Sequence, residues 1–372
     1  MSPHILGFGC AHPPLRMDTT RWLALATAIA PPRVDRALLQ RLADRSGIAQ
    51  RWCAAATDNH PAGFYATDGL SSHTGPSVGT AARMHLWAEA VRPMALAACR
   101  DAISSSEVEA QSVTHLVTAS CTGFCAPGMD QWLIRDLGLS PSVRRTNIGF
   151  MGCHAAINAV ATARDIARAD SSARVLVCCG EVCSAHLHYG ERVDQWIANT
   201  LFGDGAAAVV IAASAGHARS STHPPATIID THSLIIEGSE DAMTWEIGDC
   251  GFAMGLSAEV PALIERALPS WVDAQLAAHG LARTSVAGWA IHPGGPRVID
   301  SVVHALGLSA AAGDASRSVL RDFGNMSSAT LLFILERLSR VGTTGPVVAL
   351  AFGPGLSAEM LVISVSSQSQ TG

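Results

Sequence analysis

Three side chains have types and settings that could do covalent chemistry. Cys153 lies in Asn147-Ile-Gly-Phe-Met-Gly152-Cys153-His-Ala-Ala, where an apolar run gives way to a helical pattern. Gly152 permits a sharp turn there. Ala155, Ala156, Ala159, Val160, Ala163 and Ile166 then recur at helical spacing. Cys153 is therefore expected at or near a helix N-terminus, where free N–H groups and the dipole favour a thiolate. This predicts a thiol pKa of about 5–7, below the free value of about 8.5. The competing reading, a buried thiol beside a tight turn, fits the local residues equally well.

His292 ends the apolar run Trp289-Ala-Ile-His292 and is followed by Pro293-Gly294-Gly295-Pro296, which breaks the strand sharply. Catalytic groups collect at such strand ends in α/β folds. Asn325 lies in Phe323-Gly-Asn325-Met-Ser-Ser-Ala-Thr330, ahead of another apolar helix. Locally a helix N-cap explains it better than catalysis does, although the two roles are compatible. Together the three residues make a coherent set. A thiol attacks a thioester with the help of a base, and a neutral imidazole and a carboxamide both donate N–H bonds to a developing enolate. Neither adds a carboxylate to reprotonate the carbanion.

The elements that must position these groups read as alternating strands and helices. Strands are expected at 114–119, 174–179, 206–212, 288–291 and 346–352, and helices at 34–44, 81–103, 154–169, 260–279 and 326–339. Continuous apolar strand runs imply sheets covered on both faces, hence a layered α/β fold. The Ser/Ala/Gly/Pro-rich stretch 214–225 reads as a surface connection between halves of roughly 215 and 150 residues. Residues 54–80 read as a long irregular loop.

Composition narrows the alternatives. The chain has 372 residues, 48% hydrophobic and 15% charged, enough for a substantial core. A net charge of −6 argues against a nucleic-acid binder. No lysine is present, which excludes a Schiff-base lysine. No signal peptide or membrane span is expected, so the ten cysteines are read as reduced thiols in a cytoplasm. The groups Cys121/Cys125 and Cys178/Cys179/Cys183 lack zinc-ribbon spacing and are better read as core thiols than as a metal site.

These residues resemble the chalcone and stilbene synthases, the type III polyketide synthases, from about residue 90 onward. The Gly152-Cys153 turn is similar to the family's nucleophile segment. Ile291-His292-Pro-Gly-Gly-Pro and Gly324-Asn325-Met-Ser-Ser-Ala match its histidine and asparagine segments. Leu201-Phe202-Gly-Asp-Gly matches its gate motif, and Phe352-Gly353-Pro354-Gly355-Leu its C-terminal glycine loop. The separations of 139 residues between Cys153 and His292, and 33 between His292 and Asn325, are those expected of the family.

The resemblance implies a thiolase-like αβαβα fold of two similar halves, 1–215 carrying the cysteine and 226–372 carrying the histidine and asparagine. It implies a homodimer acting on an acyl-coenzyme A starter and malonyl-coenzyme A, with no cofactor, metal, nucleic acid or membrane. Cys153 would carry the acyl chain, His292 would pair with its thiolate, and His292 with Asn325 would bind the malonyl thioester carbonyl. Phe202 would separate the coenzyme A tunnel from the cavity.

Several positions depart from the family pattern. Ala351 precedes the glycine loop where glycine is common, and Met254 replaces a second gate phenylalanine. Cys121 and His186 fall on the cavity, in surroundings more like bacterial members. Where plant enzymes carry lysines for coenzyme A, only Arg45 and Arg51 are offered here, and Gly294 and Gly295 are further candidate contacts for it. The competing functions are an initiating ketosynthase of fatty-acid synthesis, which usually lacks His-Pro-Gly-Gly-Pro, and a non-catalytic scaffold. A degradative thiolase would use a cysteine where Asn325 stands.

Overall fold

The computed structural model describes residues 2–32, 34–66, 78–189, 193–215 and 223–366. Most of the proposed connection 214–225 and the middle of the 54–80 loop lie outside these residues.

Nine strands form one mixed sheet. In spatial order they are Gly288–Ile291, Gly345–Gly353, Ser357–Val365, Ala226–Ile235, His4–Ala11, Asp204–Ala212, Arg174–Val182, His115–Ser120 and Arg144–Gly149. The two halves repeat one topology. In the first, His115–Ser120 runs parallel to Arg174–Val182, which is antiparallel to Asp204–Ala212, itself antiparallel to His4–Ala11. In the second, Gly288–Ile291, Gly345–Gly353, Ser357–Val365 and Ala226–Ile235 follow with the same senses. Among the described residues, the half-sheets pair through His4–Thr227 and Ile5–Ala226, with the Ile228 N–H donating to the Pro3 carbonyl at 2.8 Å.

Alternation along the strands sorts side chains into layers. Val347, Ala349 and Ala351 face a central core shared with helices Ala155–Ala169 and Ala329–Arg340. Val348, Leu350 and Phe352 face an outer core under helices Val260–Ala277 and Pro296–Ala305. On the far side, Leu176, Cys178 and Val210 pack beneath helices Thr80–Ser106 and Met129–Leu137. The result is the αβαβα layering of the thiolase fold. The central helices lie between the two half-sheets, so Ala329 through Leu335 are all buried, as a helix without a wet face requires.

The central helix expected from Met326 begins instead at Ala329, because Ser327 adopts φ 47° and holds the preceding residues in a turn. None of the ten cysteines is in a disulfide, and Cys178 and Cys179 lie on opposite faces of one strand. Among the described residues, no helix is long and apolar enough to cross a membrane.

Candidate active site

Strand Arg144–Gly149 leads into the turn that delivers Cys153, immediately ahead of His154, the cap of helix Ala155–Ala169. Gly152 is required twice. Its φ is +91°, and a Cβ there would collide with the Pro354 ring. The turn is also held by Cys121, whose Sγ accepts from the Gly152 N–H at 2.9 Å and donates to its carbonyl at 3.1 Å.

His292 follows strand Gly288–Ile291 directly, its N–H donating to the Leu350 carbonyl at 2.8 Å. The ring is 1% exposed, and neither nitrogen has a hydrogen-bond partner. Asn325 is tied by backbone to the gate segment. Its N–H donates to the Leu201 carbonyl at 2.8 Å, and its carbonyl accepts from the Gly203 N–H at 2.9 Å. The helix cap falls at Ser328, three residues later. Asn325 Oδ1 nonetheless serves the turn, accepting from the Ser327 N–H at 2.9 Å and Thr330 Oγ1 at 3.4 Å. With its oxygen engaged there, the amide nitrogen is the end left for the thiol, whose pKa Asn325 and Ser327 both lower.

Cys153, His292 and Asn325 line one cavity together with Phe202, Met254, Gly294 and Phe352. A second cavity on the other side of Phe202 is lined by Cys153, Cys121, His186, Trp245, Ser327 and Pro354. Phe202, Met243 and Met254 border both, so the boundary between the cavities is a phenylalanine flanked by two thioethers. The cavities leave only about 20 and 30 Å³ for water-sized molecules. Each has room for a few waters at most, and the site is closed.

This closure corrects the expected ionisation. Burial pushes the Cys153 thiol up to about 12. Glu181 adds to the rise, against the donors Ser327 and Asn325. Burial pushes His292 down to about 3, with His154 nearby lowering it further. Burial disfavours each charge taken singly, in the direction opposite to the acidic thiol expected.

Other expected site residues take several positions. His186 is a wall, not an acid or base. Its Nε2 donates to the Thr122 carbonyl at 2.6 Å, its Nδ1 accepts from the Phe252 N–H at 3.0 Å, and its ring stacks on Phe252 at 4.1 Å. Gly353 lies against the His154 ring, and Gly355 has φ +70°, so the glycine loop braces the nucleophile turn. Gly295 approaches the Leu201 side chain. Arg45 is exposed at the end of helix Arg36–Arg45. Arg51 does not fit coenzyme A. It is buried, donates to the Phe202 carbonyl at 2.9 Å, and lies 5.0 Å over Trp22. Its charge supports the gate from within.

Two features escaped sequence reasoning. Glu181 is fully buried, and burial raises its pKa. It accepts from the Cys121 and Thr122 N–H groups, from Thr122 Oγ1 at 2.6 Å, and from Ser328 Oγ. A lone carboxylate at the end of the apolar strand Arg174–Val182 was the available signal. The hairpin Met243–Gly248/Gly251–Leu256 supplies Met243, Trp245 and Met254, with Trp245 Nε1 donating to the Cys121 carbonyl at 2.8 Å.

Comparison with known proteins decides the family. Residues 27–215 match the N-terminal domain of chalcone and stilbene synthases, and residues 228–366 match the C-terminal domain. The chain belongs to the chalcone and stilbene synthase family. It is a type III polyketide synthase, a condensing acyltransferase. One relative is the alpha-pyrone synthesis polyketide synthase-like Pks18 of Mycobacterium tuberculosis, 36% identical over 76% of this chain and 73% of that protein. Another is the 3,5-dihydroxyphenylacetyl-CoA synthase of Streptomyces toyocaensis, 35% identical over 68% and 67%. The crystal structure of PKS-I from the brown alga Ectocarpus siliculosus superposes with a TM-score of 0.90 at 31% identity, covering 98% of each chain.

Proposed function

We propose that this synthase loads a fatty-acyl starter from coenzyme A onto Cys153, extends it with malonyl-coenzyme A, and cyclises the product to a pyrone or resorcinol. The observation that carries this reading is the single cavity on which Cys153, His292 and Asn325 converge, with the Asn325 oxygen already committed to the turn. Cys153 Sγ passes its proton to the His292 imidazole and attacks the starter thioester. The acyl–Cys153 thioester forms, and coenzyme A leaves with that proton. Malonyl-coenzyme A then places its thioester carbonyl against the His292 N–H and the Asn325 amide. Loss of carbon dioxide puts electrons on that oxygen as an enolate, which the two donors stabilise. The enolate carbon attacks the acyl–Cys153 carbonyl, expelling the thiolate and leaving a β-ketoacyl-coenzyme A. Further rounds and ring closure follow without any cofactor.

Met243, Met254, Leu256, Val260, Ile264 and Val298 wall the cavity beside His292, an apolar lining that suits an alkyl chain. Pks18, a relative, is named for alpha-pyrone synthesis. Opening the closed site requires the Phe202–Met254 boundary to part. Arg45 remains the candidate contact for the coenzyme A phosphates.

The exposed edge strand Arg144–Gly149, with exposed Phe124 and Met151 nearby, supports a homodimer, measurable as twice the chain mass in solution. Cysteines without disulfides, together with coenzyme A substrates, fit a cytoplasmic enzyme. Mass spectrometry of products from a panel of acyl-coenzyme A starters tests the substrate reading. Long-chain starters are expected to give pyrones or resorcinols. Preference for aromatic starters would overturn the chain assignment, and turnover only with a malonylated carrier protein would favour a ketosynthase role.

A further inference from the structure

A second cluster of chemically active side chains lies outside the catalytic cavity. Strand Ala226–Ile235 pairs with Ser357–Val365 through a register shift, so that Ile228 faces Ile363 but Asp230 faces Val362. Ile228 and Ile363 belong to the central core, whereas Val362 belongs to the outer one. The bulge at Ile229 therefore turns Asp230, and then His232 opposite Met360, to the outer side of the sheet. His279 meets them there, just past the end of helix Val260–Ala277.

Asp230 presents one oxygen to this meeting point. Its Oδ1 accepts from Arg164 at 2.5 Å and from the Thr231 N–H at 2.8 Å, which fixes the carboxylate plane. Its Oδ2 lies 3.3 Å from His279 Nε2 and 4.0 Å from His232 Nε2. Both Nε2 atoms are shielded from solvent and have no hydrogen bond. Arg164 already gives Asp230 a cationic partner.

We propose that Asp230, His232 and His279 bind one divalent transition-metal ion of the zinc or cobalt class. The three ligand atoms lie within 4.8 Å of one another. Donors on a tetrahedral ion with bonds of about 2.0–2.1 Å stand about 3.3 Å apart. The His279–Asp230 pair has that spacing, and His232 needs to close by about 0.7 Å toward Asp230 and by at most about 1.5 Å toward His279. Two imidazoles and a carboxylate suit such ions better than magnesium or calcium, which prefer all-oxygen sites. The ion would fasten the C-terminal end of helix Val260–Ala277 to the sheet. That helix begins with Val260 and Ile264 in the wall beside His292, so the clasp would steady the cavity wall without touching substrate.

The test uses the whole chain, stripped with chelator and titrated with Co²⁺. One equivalent is expected to give tetrahedral d–d bands without a sulfur charge-transfer band, and to raise the Tm. His232→Gln and His279→Gln should each weaken binding by more than the roughly 10–100-fold that loss of a supporting partner costs. Both variants should keep the circular dichroism spectrum of the parent and still accept an acyl group on Cys153. If either misfolds, the parent alone decides, since bound Co²⁺ should protect His232 and His279 from diethyl pyrocarbonate. A thiolate spectrum, binding unmoved by either substitution, or no protection up to millimolar Co²⁺ would overturn the site and leave an ion-pair cluster only.

Discussion

The two central helices occupy equivalent places in the two halves, and both begin at the active site. Ala155–Ala169 starts just after the thiol of Cys153, and Ala329–Arg340 starts just after the carboxamide of Asn325. Each start is a turn with a positive φ, one through Gly152 at +91° and the other through Ser327 at 47°. They differ in what holds them. The cysteine turn is braced by Pro354 from the second half, while the asparagine turn is braced by Glu181 from the first, through Ser328. Each half props the other's catalytic residue. One topology used twice thus yields two different chemical roles, and neither half assembles the site alone.

The largest effect falls on the covalent role. Cys153→Ala is expected to abolish polyketide formation while leaving some malonyl decarboxylation, measured as carbon dioxide release. Full chain extension without the thiol would end the assignment. Asn325→Asp comes next. It keeps an oxygen for Ser327 and Thr330, so its Tm should stay near the parent's, but it sets a negative acceptor where the enolate develops. Decarboxylation should fall roughly a hundred- to thousand-fold, as for other lost oxyanion donors. A variant that decarboxylates within about threefold of the parent would reduce Asn325 to the turn.

Glu181→Gln tests the cross-brace. It removes a buried charged acceptor serving Cys121, Thr122 and Ser328, at a cost of about 1.5–3 kcal/mol in chemical denaturation. Unchanged stability would mean that the halves hold their turns independently.

The thiol's ionisation gives a subtler reading. With burial pushing Cys153 up to about 12, iodoacetamide inactivation of the free enzyme should keep rising, about tenfold per pH unit, from pH 7 to 10. A plateau below pH 8 that is lost in His292→Ala would show that the ion pair forms even in the closed site. The smallest effect separates two arginines. Arg51→Gln should lower stability by about 1–3 kcal/mol through the unpaired Phe202 carbonyl, with little dependence on coenzyme A. Arg45→Gln should leave the Tm unchanged and raise KM for malonyl-coenzyme A. The reverse pattern would restore Arg51 as the phosphate contact.

Much of this protein was legible in its residues because local patterns carry it. Strand Gly288–Ile291 falls where its apolar run predicts, helix Ala155–Ala169 is one residue from expectation, and motif order marks Cys153, His292 and Asn325 as a set. Periodicity reports burial, and glycine and proline report turns, so both survive in one dimension. Charge and hydrogen bonding do not. Arg51 reads as a contact for coenzyme A until Trp22 and Phe202 enclose it, and the Cys153 thiol reads as acidic until burial raises its pKa. Glu181 is 147 residues from the serine it holds. Asn325 looked divided between cap and catalyst, and only the fold shows its oxygen given to the turn while its nitrogen is left for the thiol. Sequence alone determined which groups are present and which elements carry them. The tertiary structure decided their solvent and their partners, because desolvation and long-range contacts exist only once the chain has closed on itself.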